Sequence, residues 1–345
     1  MIKSEGNSIP LSLDMSDEKT FITGGCGFIG ANLVKYLLDR GRCQITIYDN
    51  LSAGSKSNLE RAIADSGRSD CSVDFVEGDI LDKDRLSQAV LGHSAVVHLA
   101  AHTRVVESLK NPQESFDVNV VGTFNVLEAA RKNGSERFVF ASSNAAVGEQ
   151  PLPINEEMAC QPLSPYGAGK LSGEALCSAY FRSYGLSTVS LRFANAYGPY
   201  SEHKTSVVAR FIRRVRNGKP LEIYGDGEQT RDFVHAHDIC QALYSCLTKR
   251  KSRDSQTTDT SGVFQIATGV ETRIVDLATM VKKLAESAGN EQSEVIYESS
   301  RPGEIRRNCS SISKSMRVLA FSPTVDLEQG IKNLITPAID SRTGL

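Results

Sequence analysis

The chain has 345 residues, which is enough for one large domain or two moderate domains that each bury a core. Hydrophobic residues make up 40% and charged residues 23%, as in an ordinary globular protein, and the formal net charge is -2. Because no overall positive field exists, we expect neither nucleic acid nor an anionic membrane as a partner.

Two further features of composition bear on location and metals. Residues 1–16 are polar and lack a long apolar run, which predicts a flexible N-terminal extension, not a signal peptide or a membrane anchor. The eight cysteines form no Cys-x-x-Cys pair, so we expect buried, reduced thiols in a cytoplasmic protein and no zinc site. We also expect no metal at His235-x-His237.

Short apolar runs alternate with amphipathic stretches through the first half of the chain. The predicted strands are residues 19–23, 44–48, 73–77, 95–98, 137–142 and 187–193. The predicted helices are residues 28–40, 55–65, 82–90, 112–132 and 165–184. This alternation predicts an α/β fold with a Rossmann-like, doubly wound parallel sheet.

After about Phe193 the rhythm breaks into shorter pieces and turns, which predicts a smaller α/β domain. We expect the larger domain to comprise residues 17–192 and 235–262, and the smaller one residues 193–234 and 263–340. Residues 251–262 are polar and turn-rich, which predicts a mobile surface loop.

A glycine-rich loop follows the first strand and precedes a helix. Gly24 would permit the tight turn, Gly27 would let backbone N–H groups approach a pyrophosphate, and Gly30 would let the helix pack on the sheet. Asp49 lies 19 residues after Gly30, where its carboxylate could accept a ribose 2′-OH and repel a 2′-phosphate, so NAD is favoured over NADP. The alternative is a structural turn with a surface aspartate. Asp79 is placed either to meet the adenine or to cap a helix.

A tyrosine and a lysine lie one helical turn apart behind Ser164, a good N-cap. Tyr166 and Lys170 are i and i+4 on one face, so we expect the ammonium to lower the pKa of Tyr166 and make it a usable base. Gly167 and Gly169 weaken this helix, which we interpret as room for a cofactor against its surface.

Ser143 follows the predicted fifth strand. Because parallel sheets bind ligands at the carboxyl ends of their strands, we expect Ser143 to face the same crevice as Tyr166 and to hydrogen-bond the substrate hydroxyl.

Taken together, the motifs resemble those of extended short-chain dehydrogenases/reductases, in the NAD-dependent nucleotide-sugar epimerase and dehydratase group. The motifs are Thr23-Gly-Gly-Cys-Gly-Phe-Ile-Gly30, Tyr48-Asp-Asn50, His98-Leu-Ala-Ala101, Asn119-Val-Val-Gly-Thr123, Ser142-Ser143, Tyr166-x-x-x-Lys170, Arg192-Phe-Ala-Asn195, Tyr197-Gly-Pro199, Gly225-Asp-Gly-x-x-Thr-Arg-Asp-Phe-Val234 and Arg301-Pro-Gly-Glu304.

The resemblance implies a cofactor domain followed by a nucleotide-sugar domain, and it assigns roles by motif position. Catalysis would fall to Tyr166, Lys170 and Ser143. NAD would contact Gly24, Gly27, Phe28, Ile29, Gly30, Asp49, Asn50, Gly54, Asp79, Ile80, Leu99, Ala100, Ala101, Asn119, Ser142, Tyr166 and Lys170. A UDP-sugar substrate would contact Val105, Ser143, Asn195, Val207, Val208, Arg231, Arg301, Glu304 and Asn308.

The residues after Ser143 bear on the reaction. Similar dehydratases carry Asp and then Glu there, whereas this chain has Asn144 and Ala145, so no carboxylate is present at these positions to protonate a leaving hydroxyl. The resemblance therefore implies C4 epimerisation through a transient 4-keto sugar, with no net consumption of NAD. A dehydratase or reductase and a non-enzymatic NAD-binding scaffold are the alternatives.

The sugar is predicted from fewer residues. Asn308 replaces the bulky Tyr of galactose-restricted relatives, which favours UDP-N-acetylglucosamine, UDP-glucose or both. Arg104 could instead contact a uronic carboxylate, which keeps UDP-glucuronate as a rival. Val147 and His102 also depart from the family pattern. The resemblance further implies a homodimer through the helices that begin at Pro112 and Pro165.

Overall fold

The computed structural model describes residues 18–248, 261–290, 293–300 and 305–336. The predicted N-terminal extension and residues 251–260 of the predicted surface loop lie outside these ranges. No helix within the described ranges combines the length and the apolar character that crossing a membrane requires.

The strands and helices alternate through residue 193 as predicted, and shorter elements follow. The strands are β1 (Thr20–Thr23), β2 (Gln44–Asp49), β3 (Ser72–Glu77), β4 (Ala95–His98), β5 (Arg137–Ser143), β6 (Ser187–Phe193), β7 (Asn195–Tyr197), β8 (Leu221–Tyr224), β9 (Thr230–Arg231), β10 (Phe233–His235), β11 (Gly262–Ile266), β12 (Thr272–Arg273) and β13 (Val295–Glu298). The helices are α1 (Phe28–Leu38), α2 (Lys56–Ser66), α3 (Lys83–Ala89), α4 (Val105–Lys110), α5 (Pro112–Phe116), α6 (Thr123–Asn133), α7 (Pro165–Tyr184), α8 (Val207–Arg216), α9 (Ala236–Thr248), α10 (Ile274–Ser287), α11 (Ser313–Leu319) and α12 (Leu327–Ile335).

The central feature is a seven-stranded parallel sheet in the order β11-β6-β5-β4-β1-β2-β3. Successive strand side chains enter opposite cores because the side-chain period of a strand is two. Ile22 and Val97 pack with α1 and α9 on one face, whereas Phe21 and Val96 pack with α6 and α7 on the other. The predicted Rossmann-like α/β fold is confirmed.

One predicted domain boundary falls inside this sheet. Strand β11 pairs with β6, with Phe264 opposite Leu191, so residues 263–266 lie in the larger unit and not in the smaller one. Leu319 and Phe321, at the end of α11, also pack in the core of the large sheet. Segments after the predicted boundary at residue 262 therefore still belong to the core of the large sheet. Composition does not reveal this, because a strand buried on both faces lacks the alternating pattern that would distinguish it.

The smaller core lies among three two-stranded pairings and three helices. The pairs are β7 with β10, β9 with β12, and β8 with β13. Helices α8, α10 and α12 contribute Phe211, Leu277 and Ile331, which are fully buried. Such short strands need helices across them to bury their apolar faces, which explains why the regular alternation ends near residue 193.

The predicted helix over residues 112–132 is interrupted. It consists of α5, a π-helical segment (Asp117–Gly122) and α6, so one turn is wider than the 3.6-residue period assumed. Helix α4 was not predicted at all. It is only six residues long and starts with two β-branched valines at a cap that makes no side-chain hydrogen bond.

The expectation of eight reduced thiols is wrong for two of them. Cys43 and Cys71 form a disulfide, with their Cα atoms 4.2 Å apart. They directly precede β2 and β3, where the parallel register sets Gln44 against Ser72. Asp70 completes the one group of His, Cys, Asp or Glu within the described ranges that could share an ion, but both sulfurs are bonded to each other. Cys160 is partly exposed, and the other five are buried.

Candidate active site

The glycine loop after β1 has the close approaches that the sequence implied. Gly24 has φ of +73°, and a Cβ atom there would lie 2.6 Å from the backbone nitrogen of Ala100. At Gly30 a Cβ atom would lie 2.3 Å from the carbonyl oxygen of Gly24. Both contacts are with backbone, which cannot move aside, so these two glycines are required by the protein itself.

Gly27 differs, since little of the protein fills the space beside it. Its absent Cβ would meet only the carbonyl oxygen of Gly24, at 3.2 Å. Gly27 is also the N-cap of α1, and it leaves the first N–H groups of the helix without a side-chain acceptor. Gly54 packs from the other side, where its Cβ would meet the backbone of Cys26 at 2.4 Å. The open space and the uncapped amides fit a dinucleotide pyrophosphate.

Replacing Gly27 with alanine should separate cofactor binding from folding. We expect Gly27→Ala to fold normally and to bind NAD about tenfold or more weakly, about 1.4 kcal/mol, because the methyl group occupies the pyrophosphate space. Gly30→Ala, the contrasting variant, should destabilise the fold itself by about 1–3 kcal/mol through overpacking. Calorimetric titration and thermal melts would measure both, and unchanged NAD affinity in Gly27→Ala would contradict this placement.

Asp49 ends β2 beside the glycine loop and is buried. One carboxylate oxygen accepts the amide of Cys26 at 2.9 Å, and the other accepts the amide of Leu51 at 2.8 Å. Burial raises the pKa of Asp49, and the two backbone hydrogen bonds oppose that shift. Each oxygen keeps a further lone pair, so the carboxylate can still accept ribose hydroxyls.

The two possibilities for Asp79 can now be separated. Asp82, not Asp79, is the N-cap of α3 and accepts the amide of Arg85. Asp79 accepts the amide of Leu81 and the side-chain amide of Asn50, both at 2.8 Å. The pair therefore forms a polar edge at the ends of β2 and β3, and the cap interpretation is wrong.

The loop after β4, which contains Leu99, Ala100 and Ala101, is held by Asn119 from the π-helical segment. The Asn119 side chain accepts from the His102 amide and donates to the His102 carbonyl, both at 3.0 Å. Ile80 lies against Gly122 of the same segment. The amide of Asn119 thus shapes the wall of the predicted NAD site.

A buried histidine that the sequence analysis gave no role joins these elements. The Thr123 hydroxyl donates to the Asn119 carbonyl, so it accepts from Nε2 of His98 at 3.0 Å. The Ala100 amide donates to the Thr23 hydroxyl, which in turn donates to Nδ1 of His98 at 2.7 Å. Nε2 of His98 is therefore a donor and Nδ1 an acceptor, so the imidazole is neutral with its proton on Nε2. Burial lowers the pKa of His98 to about 3.

The predicted catalytic residues come together at the carboxyl end of β5. Ser164 caps α7 by accepting the Gly167 amide at 3.1 Å, which places Tyr166 and Lys170 on the helix face towards the sheet. Both side chains are buried, and Ser143 hydrogen-bonds the Tyr166 hydroxyl. The Lys170 ammonium donates to the carbonyl of Ala141 at 2.7 Å and lies 6.0 Å from the centre of the Tyr166 ring.

The expected lowering of the Tyr166 pKa by Lys170 is wrong for this structure. Burial raises the pKa of Tyr166, and the hydrogen bond from Ser143 is what opposes the rise. The ammonium is engaged by the Ala141 carbonyl, and burial lowers the pKa of Lys170 to about 7. Both shifts have the same cause, since a dry pocket disfavours any charge.

The depressed pKa of Lys170 predicts a pH dependence of stability. Between its pKa of about 7 in the folded protein and the ordinary 10.5, the unfolded chain binds a proton that the folded protein does not. Stability contributed by this group therefore rises with pH from 7 towards 10.5. We expect the free energy of unfolding of the wild type, minus that of Lys170→Met, to increase in urea titrations at pH 7, 8 and 9. If the free energies of unfolding of the two proteins changed equally with pH, the lowered pKa of Lys170 would be contradicted.

The two glycines beside Tyr166 serve protein packing, which corrects their assignment to a cofactor surface. A Cβ at Gly167 would lie 2.2 Å from the Ala145 carbonyl oxygen, and one at Gly169 would lie 2.8 Å from Cβ of Asn119. Helix α7 therefore approaches its neighbours too closely for side chains at these positions.

A buried ion pair between Glu174 of α7 and Arg192 of β6 lies next to the catalytic residues, and it was not predicted from the sequence. Glu174, one turn after Lys170, receives two hydrogen bonds from Arg192, at 2.8 and 2.7 Å. The Ser142 hydroxyl also donates to Glu174, so its proton is not available to a cofactor. Arg192 further contacts the sulfur of Cys160 at 3.1 Å. The sequence did contain an indication of this pair, since Glu174 and Arg192 are each a charged residue within a largely apolar segment.

Two distant segments meet next to Ser143. The side-chain amide of Asn144 donates to the Ser310 hydroxyl at 2.8 Å and to Asn308 at 3.3 Å. Asp232, fully buried, accepts the amides of Ser310 and Gly269 and so holds this segment in place. Asn308 therefore lies one residue from the catalytic hydroxyl, as its predicted substrate role requires.

The remaining predicted substrate residues are less closely grouped. Val208 packs in the smaller core, so of the two valines only Val207 is partly exposed. Arg231 donates to the carbonyls of Thr230 and Ile305. Asn195 begins β7 beside β10, and Val105 is exposed at the start of α4. Arg301 and Glu304 lie outside the described residues. Val147, the predicted departure near the sugar, is fully buried.

Comparisons with known proteins place this chain in a wider group. A family model described as GDP-mannose 4,6 dehydratase matches residues 21–334. A dTDP-glucose 4,6-dehydratase of Streptomyces niveus is 32% identical over 332 residues, which is 94% of each chain.

Two solved structures are also similar. A UDP-N-acetylglucosamine 4-epimerase from Methanobrevibacter ruminantium M1, in complex with UDP-N-acetylmuramic acid, is 30% identical with a TM-score of 0.81, covering 92% of this chain and 97% of that one. A UDP-glucose 4-epimerase of Thermus thermophilus, in complex with NAD, is 33% identical with a TM-score of 0.80 and the same coverage. The relatives thus include both epimerases and dehydratases.

Proposed function

Because the chain belongs to the NAD-dependent nucleotide-sugar epimerase and dehydratase family of extended short-chain dehydrogenases/reductases, we propose that it inverts C4 of a UDP-sugar. The observation that carries the proposal is the set of Tyr166, Lys170 and Ser143, followed by two residues without a carboxylate. NAD is the cofactor, as structural relatives bind it and the glycine loop of this chain fits it.

The catalytic side chains have complementary tasks. Tyr166 accepts the proton of the sugar C4 hydroxyl, and Ser143, already hydrogen-bonded to Tyr166, orients that hydroxyl. NAD supplies the transient oxidation of C4 when it is bound. Lys170 offers positive charge near the phenolate, which is the form of Tyr166 that accepts this proton and is regenerated when the proton returns to the C4 oxygen. Lys170 would also hold the ribose of bound NAD.

The absence of acids after Ser143 favours epimerisation over dehydration. Loss of a hydroxyl from the sugar requires a proton donor near the leaving group. The amide of Asn144 is engaged by Ser310 and Asn308, and Ala145 has no polar group. Neither residue can donate a proton as a carboxylic acid would, so a 4-keto sugar formed here would be reduced again at C4.

Asn308 bears on the group at C2 of the sugar. Asn308 is short where galactose-restricted relatives carry a bulky Tyr, and this difference favours a 2-acetamido group while also admitting a hydroxyl. Asn308 considered alone therefore favours UDP-N-acetylglucosamine and UDP-glucose. UDP-glucuronate is the second candidate, because Arg104 is exposed at the same end of the sheet.

A product assay tests the proposal. Purified protein would be incubated with UDP-glucose, UDP-N-acetylglucosamine and UDP-glucuronate, and the products would be separated by chromatography. We expect a C4 epimer from at least one sugar without net formation of NADH. A 4-keto-6-deoxy product would indicate a dehydratase, and the lack of any epimer from all three would overturn the proposal.

We also propose a homodimer and, as the sequence predicts, a cytoplasmic location. Apolar side chains are exposed on α4, α5 and α6, among them Val106, Leu109, Phe116 and Phe124. Such a patch favours burial against a second copy. Size-exclusion chromatography with light scattering would measure the mass, and a monomer at working concentrations would contradict the assembly.

A further inference from the structure

Two cationic residues, Arg104 and Lys204, lie near each other at the segment that follows β4. Arg104 is the residue before α4, and its side chain is exposed. Helix α4 is joined to the catalytic helix, since the Ser108 hydroxyl accepts the backbone amide of Tyr166 at 3.2 Å. Arg104 therefore lies one helical turn from the contact that positions Tyr166.

Lys204 approaches from the smaller unit, in the loop between β7 and α8. Its ammonium donates to the Thr103 hydroxyl at 3.2 Å, which brings it next to Arg104. The loop is held in place, as Arg213 donates to the carbonyls of Glu202 and Lys204 at 2.9 and 3.1 Å. The lysine is thus carried by a supported segment and bridges the two units.

No ion pair among the described residues neutralises the charges of Arg104 and Lys204. The neighbouring acid, Glu202, forms its ion pair with Arg61 at 3.0 Å. Within the described ranges neither Arg104 nor Lys204 forms a salt bridge. Burial lowers the pKa of Lys204, and the positive charge of Arg104 lowers it further. Two like charges held together are relieved when an anion binds between them.

We propose that Arg104 and Lys204 bind a carboxylate on the sugar of the nucleotide-sugar substrate, so that the enzyme prefers an acidic sugar. This inference rests on the proposed function. Tyr166 acts at C4, and the carboxylate of a hexuronate is only two carbon atoms away. Arg104 is the N-cap of the helix whose Ser108 hydroxyl accepts the Tyr166 backbone amide, so the guanidinium and the proposed base are carried by elements in direct contact. The guanidinium can hold a carboxylate by two hydrogen bonds, while Lys204 adds a point charge.

The inference is compatible with the space near Asn308. By the proposed roles Asn308 would meet the group at C2 and the cation pair the group at C6, so a uronate with or without a 2-acetamido group satisfies both. The diphosphate is the other anionic group of the substrate, and the experiment has to tell it from the carboxylate.

Binding and turnover would be measured for UDP-glucuronate and UDP-glucose, which share the diphosphate and differ in the carboxylate. The proteins are the NAD-loaded wild type, Arg104→Gln, Lys204→Gln and Lys110→Gln, the last a control at the exposed far end of the same helix. We expect the wild type to bind UDP-glucuronate at least about tenfold more tightly, and each pair variant to lose about tenfold for that ligand alone. Lys110→Gln should match the wild type.

The outcomes separate this inference from the proposed function. Equal losses for both ligands would mean that the pair binds the diphosphate, and no loss for either would mean that it binds neither; both results overturn the inference. If a C4 epimer forms while Arg104→Gln changes nothing, only the inference fails. If Arg104→Gln weakens UDP-glucuronate alone but no epimer forms from any sugar, only the proposed function fails. Thermal melts would verify that each variant is folded.

Discussion

Tyr166→Phe is expected to lower kcat for C4 inversion by about 10³-fold, within the range that a positioned acid–base group supplies. The phenylalanine keeps the ring that packs at the start of α7 and removes the hydroxyl that Ser143 contacts. The loss of the base lowers turnover. Because the aromatic ring is retained, NAD affinity and thermal stability should stay close to those of the wild type. Coupled product assays and NAD titrations would measure the three quantities.

Tyr180→Phe provides the matched control for this variant. Tyr180 lies on the same helix, and its hydroxyl donates to Glu128 at 2.7 Å, far along α7 from the catalytic set. We expect its kcat to remain within about twofold of the wild type. If Tyr166→Phe retained full activity, the assignment of Tyr166 as the base would be wrong, and so would the reaction derived from it.

Glu174→Ala is expected to destabilise the fold by about 3–5 kcal/mol, because it leaves the Arg192 guanidinium charged and unpaired in the core. Both side chains are almost completely buried, at 5% and 3% exposure. The loss would also release the Ser142 hydroxyl, which donates to Glu174 directly before the catalytic Ser143. Urea unfolding of the cofactor-free protein would measure the change.

An exposed ion pair and a double variant serve as controls for the buried pair. Asp226→Ala breaks the pair with Arg306, whose side chain is 57% exposed, and should leave the free energy of unfolding close to that of the wild type because water screens both charges. Glu174→Leu combined with Arg192→Met should cost less than Glu174→Ala alone, since no charge is then left unpaired. A cost below about 1 kcal/mol for Glu174→Ala would show that solvent reaches the pair.

Local patterns were sufficient for the parts of the site that neighbours in sequence create. The glycine loop, Asp49 at the end of β2, and Tyr166 with Lys170 on α7 were all predicted and lie where expected. Each depends on the period of one strand or helix and on the shared direction of parallel strands, which the order of residues already contains.

Contacts between distant segments could not be read in the same way. Asn144 meets Asn308 across 164 positions, and Thr103 meets Lys204 across 101, so neither pair has a local signature. The disulfide of Cys43 with Cys71 depends on the register of β2 against β3, and the place of β11 depends on which edge of the sheet was free.

The tyrosine pocket shows the division most clearly. The order of residues determined that Tyr166 and Lys170 share a helix face, and from charge alone it predicted a lowered pKa for the tyrosine. Only the folded chain decided the sign, because packing against β5 removes water from both groups and the Ala141 carbonyl engages the ammonium. Burial is a property of the whole assembly of elements, and it outweighs a pairwise charge effect that sequence spacing can suggest.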